Sequence, residues 1–500
     1  MRHVAFRVMS RDGVTTGTGT RADAAASEPV RAPVWPQGVL DLLAADPGRT
    51  VFEDGSRTVT AGETLDAVAS VAAGLRAAGV GAGTGVALDL GLGPDALAAT
   101  LAAFVVGARV CGLPPGLTAG QRADVLGRAD VALVLDDEHL PGLLAASPDG
   151  PLVAAGRPAD VARVVWTSGT SGRPKGCVQT YASLSATWAA HPDRWPPPVA
   201  ALADRLQRFL VVGPFSSQVV LEYTVLTLAA GGVLVAARPP GFPDALVRHR
   251  ATASVITVGR LHALVRAQRE EPADLSSLRA LLVSGSPLAP ARLAEALEVL
   301  GPVVFHGYGQ TEAGMIAMVT PDEMRATPEV LATVGRPPAV VTVRVVDDEL
   351  WVRTPGQASG YWDDPEESAE VFVDGWVRTR DLGHVDAQGY VHLRGRARDV
   401  VIVDAQLVHA GAVERVLAED PAVAEAYVAG RPDDDTGEAV HAWVVPAHGR
   451  TPDAAELCRR VGVRLGAVAV PRTLTVVDQV PVAPSGKPDT SALPVPAVTT

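Results

Sequence analysis

The sequence is poor in cysteine, in basic charge and in aromatic residues. Its three cysteines, Cys111, Cys177 and Cys458, are scattered without a CxxC pair, so they predict neither a disulfide framework nor a zinc site. The formal net charge is −13 and no block of basic residues occurs, which excludes the concentrated cationic surface of a nucleic-acid-binding protein. Aromatic residues make up 4% of the chain and do not indicate a ligand. This composition fits a reducing compartment, the cytoplasm, best.

Long apolar runs are also lacking. The most apolar stretch, residues 97–114, is interrupted by Arg109 and contains Gly107 and Gly112. It is typical of a buried helix followed by a buried strand, so we expect no membrane span. The first residues include no apolar core followed by a cleavage site of small residues, and we expect no secretory signal.

Lysine is the scarcest charged residue, since only Lys175 and Lys487 occur among 43 basic residues. Such a bias towards arginine usually reflects coding composition, but the planar arginine fork cannot replace a compact, flexible ammonium everywhere. Both lysines lie in segments rich in glycine, serine and proline, SGTSGRPKG and APSGKPD. These positions indicate function, with chance survival in exposed loops as the alternative.

The chain of 500 residues is too long for one ordinary core, and its 47% of hydrophobic residues is typical of a globular protein. We expect a flexible extension over residues 1–30, an N-terminal domain over 31–398 and a small mobile C-terminal domain over 399–500. A helical stretch at 61–78 and others like it alternate with short apolar runs at 85–88, 131–135, 209–212, 233–236, 254–258 and 280–283.

This alternation predicts layered parallel α/β structure in the large N-terminal domain. From about Thr333 onward, short runs at 340–346, 350–353, 376–379 and 390–393 are rich in β-forming residues and separated by turn residues. They predict a meander or a β-barrel-like subdomain. The segment beyond Asp399, with helices expected at 412–419 and 454–465, predicts an α+β domain.

An apolar strand at 164–167 runs into a loop that is dense in glycine and hydroxyl groups and contains Lys175. Glycines let backbone N–H groups approach anionic oxygens, and the lysine would neutralise the outer phosphates of a nucleotide. The loop is not a Walker A motif, because Lys175 follows Pro174 and is not followed by Ser or Thr. Composition alone leaves a polar surface turn open as the alternative.

The ten residues 167–176, TSGTSGRPKG, resemble the phosphate loop of the adenylate-forming superfamily of acyl-CoA ligases, peptide-synthetase adenylation domains and beetle luciferases. The resemblance covers about residues 34–493, nearly the whole chain. It implies that the loop grips the β- and γ-phosphates of ATP. The residues that it assigns to this grip are Thr167, Ser168, Gly169, Thr170, Ser171, Gly172 and Lys175.

The run HGYGQTE at 306–312 resembles the YGxTE motif of the same superfamily. The match implies that Tyr308 stacks on adenine, that Thr311 contacts the α-phosphate and that Glu312 holds Mg²⁺. A flat purine needs an aromatic face and a hard cation needs a carboxylate. Taken alone, the run is equally compatible with an ordinary helix capped by Thr311.

The segment WVRTRDLG at 376–383 resembles the TGD segment, which implies that Asp381 binds both ribose hydroxyls, although Arg380 replaces the usual glycine. One carboxylate can accept hydrogen bonds from two vicinal hydroxyls. Gly395-Arg396 followed by Asp399 resembles the hinge motif, which implies that Arg396 contacts ribose or phosphate and that Asp399 is the pivot. Singly, Asp381 and Arg396 are also compatible with surface positions of a hairpin.

Pro484-Ser-Gly-Lys487 resembles the motif of the C-terminal catalytic lysine. The resemblance implies that Lys487 bridges the carboxylate and the α-phosphate during adenylation. It further implies an AMP-forming acid–thiol ligase that uses ATP, Mg²⁺ and coenzyme A in two orientations of its C-terminal domain. A carboxylic acid is the expected substrate, with no nucleic-acid or membrane partner, and the sequence leaves a homodimer open.

Two departures from the superfamily pattern concern thiol transfer more than ATP binding. Ala405 or Asp404 replaces a glycine beside the expected pantetheine tunnel, and Ser216 replaces a histidine or aromatic gate. A Cβ at a close backbone approach narrows the path. The alternatives are an adenylation enzyme that loads a separate carrier protein or another acceptor, a specialist for one half-reaction, and a binding protein without chemistry. The retained lysines and acidic motif residues argue against the last, and the sequence does not identify the acid.

Overall fold

The computed structural model describes residues 34–113, 117–167, 174–238, 241–397, 399–403, 406–433, 436–481 and 488–493, apart from the side chains of Thr167, Gly437 and Ser491. The predicted N-terminal extension, residues 1–30, lies outside these ranges. Within them, no helix combines the length and the apolar character that crossing a bilayer requires.

The helices are, in chain order, α1 (Gln37–Ala45), α2 (Ala61–Ala77), α3 (Pro94–Val105), α4 (Ala119–Arg128), α5 (Leu140–Leu144), α6 (Tyr181–Ser185), α7 (Pro197–Ala203), α8 (Gln218–Ala229), α9 (Asp244–Arg248), α10 (Val258–Glu270), α11 (Pro290–Leu300), α12 (Pro321–Ala326), α13 (Pro365–Val371), α14 (Ala410–Ala418) and α15 (Ala454–Leu465). The strands are, in chain order, β1 (Thr50–Asp54), β2 (Arg57–Thr60), β3 (Gly85–Asp89), β4 (Arg109–Gly112), β5 (Leu133–Asp136), β6 (Val161–Thr167), β7 (Lys175–Thr180), β8 (Arg208–Val211), β9 (Val233–Ala236), β10 (Ala253–Thr257), β11 (Ala280–Ser284), β12 (Val304–Gln310), β13 (Gly314–Val319), β14 (Thr342–Val346), β15 (Glu349–Arg353), β16 (Gly360–Tyr361), β17 (Phe372–Val373), β18 (Trp376–Val385), β19 (Val391–Arg396), β20 (Val400–Val403), β21 (Gln406–His409), β22 (Val423–Asp433), β23 (Gly437–Pro446) and β24 (Thr473–Val476).

Two large sheets, both parallel at their centres, form most of the N-terminal part. One has the strand order β16-β7-β6-β4-β3-β5 and the other β13-β12-β11-β10-β8-β9-β1-β2. The antiparallel pairs are β16 with β7 and β7 with β6 in the first sheet, and β13 with β12 and β2 with β1 in the second. Each apolar run predicted between residues 85 and 283 overlaps an observed strand, which confirms the layered α/β prediction.

Helix α3 is buried along almost its whole length, because ten of its residues are apolar and only Thr100 and Asp95 interrupt them. Pro94 begins the helix, where its missing N–H leaves no intrahelical hydrogen bond unmade. The chain then turns through Gly107, at a φ of +79°, into β4. This confirms the predicted buried helix and strand at 97–114.

The two β-rich regions nearest the C-terminus form separate sheets. The first is antiparallel, with the order β14-β15-β18-β17 and with β19 paired to β18. It confirms the predicted β-rich subdomain, but it is not a simple meander, because β15 pairs with β18 rather than with the next strand along the chain. The second has the order β21-β20-β23-β22 with β24 on β23, and its core includes buried residues of α14 and α15. The helices predicted at 412–419 and 454–465 are therefore confirmed.

A buried histidine on β12 gives a pH-dependent stability. His306 is 4% exposed, and burial lowers its pKa to about 4, against the opposing effect of a backbone hydrogen bond with Thr333. Since the folded-state pKa lies below the unfolded value of about 6.5, stability is lost as pH falls from 6.5 through 4. We expect wild type to lose up to about 3 kcal/mol more than His306→Leu over this window. Urea unfolding at several pH values measures it, and parallel pH profiles would contradict it.

Candidate active site

The ends of two paired strands position the predicted phosphate loop. Strand β6 ends at Thr167 and β7 begins at Lys175, and these two residues pair across the antiparallel ladder. Lys175 is thus the first residue of a strand, whereas the sequence placed it in the loop. Ser168, Gly169, Thr170, Ser171 and Gly172 lie outside the described residues. The ladder nevertheless fixes both ends of the loop at one edge of the sheet.

The Lys175 side chain is held by groups that sequence reasoning missed. Its Nζ lies 2.7 Å from Glu367 Oε1 and 5.4 Å from the centroid of the Tyr361 ring. The Arg380 guanidinium pairs with the same Glu367 carboxylate. Glu367 belongs to α13, which carries no motif, so no signal in the sequence links it to the loop. Two cations thus meet at one carboxylate beside the loop end.

Arg380, which stands where the superfamily pattern has a glycine, adopts a backbone conformation that favours glycine. Its φ is +60°, in the left-handed region, which costs a non-glycine residue roughly 1–2 kcal/mol. The N–H of Arg380 donates to Glu349 Oε1 at 2.9 Å, and its guanidinium pairs with Glu367 and, at 3.0 Å, with Glu370. Carboxylates on β15 and α13 therefore hold the arginine in a conformation that glycine adopts freely.

A second group of predicted residues surrounds Asp381, which is 5% exposed. Its Oδ2 accepts hydrogen bonds from the Tyr308 hydroxyl at 2.6 Å and from Gln310 Nε2 at 2.5 Å. Its Oδ1 accepts from Arg396 Nε at 3.0 Å, since Arg396 lies directly opposite on β19. The structure therefore brings Tyr308, Asp381 and Arg396 together. The alternative of surface positions is wrong for Asp381, and Gln310 is an additional member.

The electrostatics of this group extend to the predicted hinge. Burial acts to lower the pKa of Arg396, but the carboxylates of Asp381 and Asp399 outweigh it and raise that pKa. Burial raises the pKa of the Asp399 carboxyl, and Arg396 opposes that rise. The backbone carbonyl of Asp399 accepts from the N–H of Ala410, the first residue of α14. Asp399 thus connects Arg396 to the C-terminal sheet and its helix.

Thr311 and Glu312 lie in the turn between β12 and β13. The two strands pair from His306 and Val319 to Gln310 and Gly314, so the alternative of a helix capped by Thr311 is wrong. Glu312 Oε1 accepts a hydrogen bond from the Tyr361 hydroxyl at 2.8 Å. Tyr361 therefore contacts both Glu312 and, through its ring face, Lys175.

The donor set around Glu312 fits Mg²⁺ in one particular mode. In the part of the chain that the structure describes, no three His, Cys, Asp or Glu side chains cluster as metal ligands. Mg²⁺ is commonly bound through one or two carboxylates, with phosphate oxygens and water supplying the remaining ligands. A single carboxylate at the turn is compatible with that mode. Burial and the Glu312 carboxylate raise the pKa of the neighbouring Cys177 thiol well above its ordinary value, which favours the neutral thiol.

Of the remaining predicted positions, only Ser216 lies among the described residues. Lys487, Ala405 and Asp404 lie outside the described residues. Ser216 lies just before α8 and packs against β4, where a Cβ added to Gly112 would stand 2.8 Å from Ser216 Cβ. Ser216 therefore occupies the space that a side chain at residue 112 would need.

Comparison with known proteins places this geometry in a family. The model of the AMP-binding enzyme family matches residues 42–362, and that of the AMP-binding enzyme C-terminal domain matches residues 412–487. A medium/long-chain-fatty-acid–CoA ligase of Mycobacterium tuberculosis is 33% identical over 69% of this chain and 62% of its own length. The chain thus spans less than two thirds of that relative.

Two further relatives align over nearly their whole length. A feruloyl-CoA synthase of Amycolatopsis sp is 32% identical over 88% of this chain and 94% of its own. The solved structure of the amide bond synthetase McbA from Marinactinospora thermotolerans is 34% identical, with a TM-score of 0.78 over 91% of this chain and 98% of that one. Because the family models match well over half of the chain, the protein belongs to the AMP-binding enzyme family of adenylate-forming ligases.

Proposed function

We propose that the chain uses MgATP to convert a carboxylic acid into an acyl-adenylate and then transfers the acyl group to the thiol of coenzyme A. In the first step a carboxylate oxygen attacks the α-phosphorus and pyrophosphate leaves. In the second step the thiol sulfur attacks the acyl carbonyl, the thiol proton is lost and AMP leaves. The assembly of Tyr308, Asp381 and Arg396 around one buried carboxylate is the observation that best supports nucleotide binding.

Asp381 is proposed to bind the ribose hydroxyls, and Tyr308 to stack on adenine. The hydrogen bond from the Tyr308 hydroxyl to Asp381 fixes the position of the far end of the ring. An aromatic ring held in this way loses little conformational entropy when a purine stacks on it. Arg396 is proposed to contact ribose or phosphate while its Nε donates a hydrogen bond to Asp381 Oδ1.

The phosphates are proposed to bind between the loop and the β12–β13 turn. Residues 167–172 and Lys175 would hold the β- and γ-phosphates, and Thr311 the α-phosphate. Glu312 would hold Mg²⁺, which supplies positive charge against the triphosphate. Glu367 already pairs with Lys175. The entering phosphates would therefore have to share the Lys175 ammonium with Glu367 or displace that carboxylate.

The C-terminal part is proposed to act as a mobile lid. The boundaries remain those predicted from the sequence, 31–398 and 399–500, with Asp399 as the pivot. The core of buried residues between Val401 and Ala469 supports a unit that folds around its own sheet. Lys487 would reach the α-phosphate in the adenylation orientation only. A homodimer and a cytoplasmic location stay predictions, which light scattering and cell fractionation test.

The acyl acceptor is the part of this proposal that one experiment decides. The relative named as an amide bond synthetase favours, as a second candidate, transfer to an acceptor other than coenzyme A. A panel of acids is first screened with MgATP for pyrophosphate release. Each acid that is adenylated then receives coenzyme A, a phosphopantetheinylated carrier protein or a primary amine, and mass spectrometry identifies the product. We expect the coenzyme A thioester. Formation of only adenylate and AMP with coenzyme A, alongside a carrier thioester or an amide, would establish the alternative.

A further inference from the structure

A pocket of about 50 Å³ lies between α8, the paired strands β6 and β7, and the segment that follows Glu312. This volume counts the space open to the centre of a water molecule, and about 10–15 Å³ of it holds one water. The pocket therefore has room for roughly three to five non-hydrogen atoms. Ala313, Gly314 and Met315 line it, and Ala313 is bonded to Glu312. An acid whose carboxylate reacts beside Thr311 and Glu312 would therefore extend its far end towards this pocket.

Two buried polar atoms of the pocket wall have no hydrogen-bond partner among the residues that the structure describes. Gln218, at the start of α8, and Trp35 are each 8% exposed. Neither Gln218 Oε1 nor Trp35 Nε1 makes a hydrogen bond within the described part of the chain. A buried polar group left in this state costs roughly 1–3 kcal/mol. The wall thus offers one acceptor and one N–H donor to whatever fills the pocket.

The same wall carries two opposite charges that are incompletely paired. Arg163, on β6, is 7% exposed and uses its Nε to donate to Gln179 Oε1 at 2.5 Å. Glu222, one turn along α8 from Gln218, lines the pocket as well. Burial raises the pKa of Glu222 to about 7, and Arg163 opposes that rise. Among the described residues, none donates a hydrogen bond to the Glu222 carboxylate, and none accepts one from the terminal nitrogens of Arg163.

The chemistry of the wall selects among classes of acid. A saturated fatty chain would remove water from Arg163, Glu222, Gln218 and Trp35 and return no hydrogen bonds. A charged group would lose its hydration beside Arg163 and Glu222, and either sign would meet one of the two as a like charge whenever Glu222 is ionised. A compact neutral group that both donates and accepts satisfies groups of each kind. Resting on the proposed function, we infer that the substrate is a carboxylic acid whose far end carries a carboxamide or another neutral group with an N–H or O–H donor and an acceptor.

The test compares matched acids that differ only at the far end. Straight-chain and phenyl carboxylic acids of increasing length are prepared in pairs that end in a carboxamide or in the isosteric isopropyl group. The kcat/KM of pyrophosphate release is measured for each. We expect the best carboxamide to exceed the best isopropyl acid at least tenfold. An isopropyl acid that equals or exceeds every carboxamide would overturn this inference and leave the proposed function standing. The absence of pyrophosphate release with every acid would overturn the proposed function itself.

Two variants on helix α8 test whether the pocket wall is responsible for the preference for a carboxamide over an isopropyl group. Gln218→Leu removes the unpartnered acceptor and is expected to lower the ratio of carboxamide to isopropyl kcat/KM at least fivefold. Thr224→Val is the matched control, because Thr224 is also buried on α8 with an unpartnered oxygen but does not line the pocket. Its ratio should stay that of wild type. An unchanged ratio in Gln218→Leu would show that the pocket does not select the substrate. If Gln218→Leu fails to fold, Glu222→Gln takes its place.

Discussion

Lys487→Ala is expected to lower the rate of acyl-adenylate formation at least about 100-fold, the loss typical of removing one group that stabilises charge in the transition state. The same variant should form thioester from supplied acyl-adenylate and coenzyme A within about threefold of wild type. The reason for the difference is the proposed lid movement, in which Lys487 is near the α-phosphate in only one orientation. Stopped-flow pyrophosphate release measures the first half-reaction, and thioester formation from synthetic adenylate measures the second.

Lys175→Ala is the matched control, since Lys175 is the only other lysine of the chain. It is proposed to bind the β- and γ-phosphates, so its removal should raise the KM for ATP, and should likewise spare the second half-reaction. Equal losses of both half-reactions in Lys487→Ala would show that Lys487 is a structural residue. An unchanged adenylation rate would remove it from the site.

The sequence predicted the layered elements well because each carries a local signal. Strand β9 and helix α15 have the predicted bounds, 233–236 and 454–465. Strand β9 is an apolar run that follows a pair of glycines, and α15 begins after Asp453, whose side chain accepts from the N–H groups of Ala455 and Glu456. Signals of this kind act over a few residues and are visible without tertiary structure.

The sequence predicted contacts of the site only for residues that belong to a recognisable motif. Asp381 and Arg396 were assigned by resemblance, and the register of β18 and β19 is what places them opposite each other. Glu367 has no motif of its own, and its contact with Lys175 depends on how α13 packs against β16, the strand that pairs with β7. Tyr308 was assigned to adenine alone, whereas its hydroxyl also fixes Asp381. Pairings between distant segments of this kind follow from tertiary packing rather than from spacing.

Asp381→Ala is expected to weaken the binding of AMP about 10- to 100-fold, because the ribose loses a charge-assisted hydrogen-bond partner worth roughly 1.5–3 kcal/mol. The structure adds a second consequence. The carboxylate accepts hydrogen bonds from Tyr308, Gln310 and Arg396, so its removal loses all three and leaves the buried Tyr308 hydroxyl without this partner, which should also lower the free energy of unfolding. Isothermal titration with AMP, at a temperature where the variant is folded, measures the first effect, and urea unfolding the second.

Tyr308→Phe separates the two effects. It removes one donor to Asp381 but keeps both the carboxylate and an aromatic face for adenine. The variant should therefore lose about 1 kcal/mol of stability, the net worth of one hydrogen bond, while its affinity for AMP stays within about threefold of wild type. If Asp381→Ala binds AMP as wild type does, Asp381 is a structural residue that holds Tyr308 and Arg396. If Tyr308→Phe loses as much affinity as Asp381→Ala, the hydroxyl contributes to binding directly and stacking is not the main role of Tyr308.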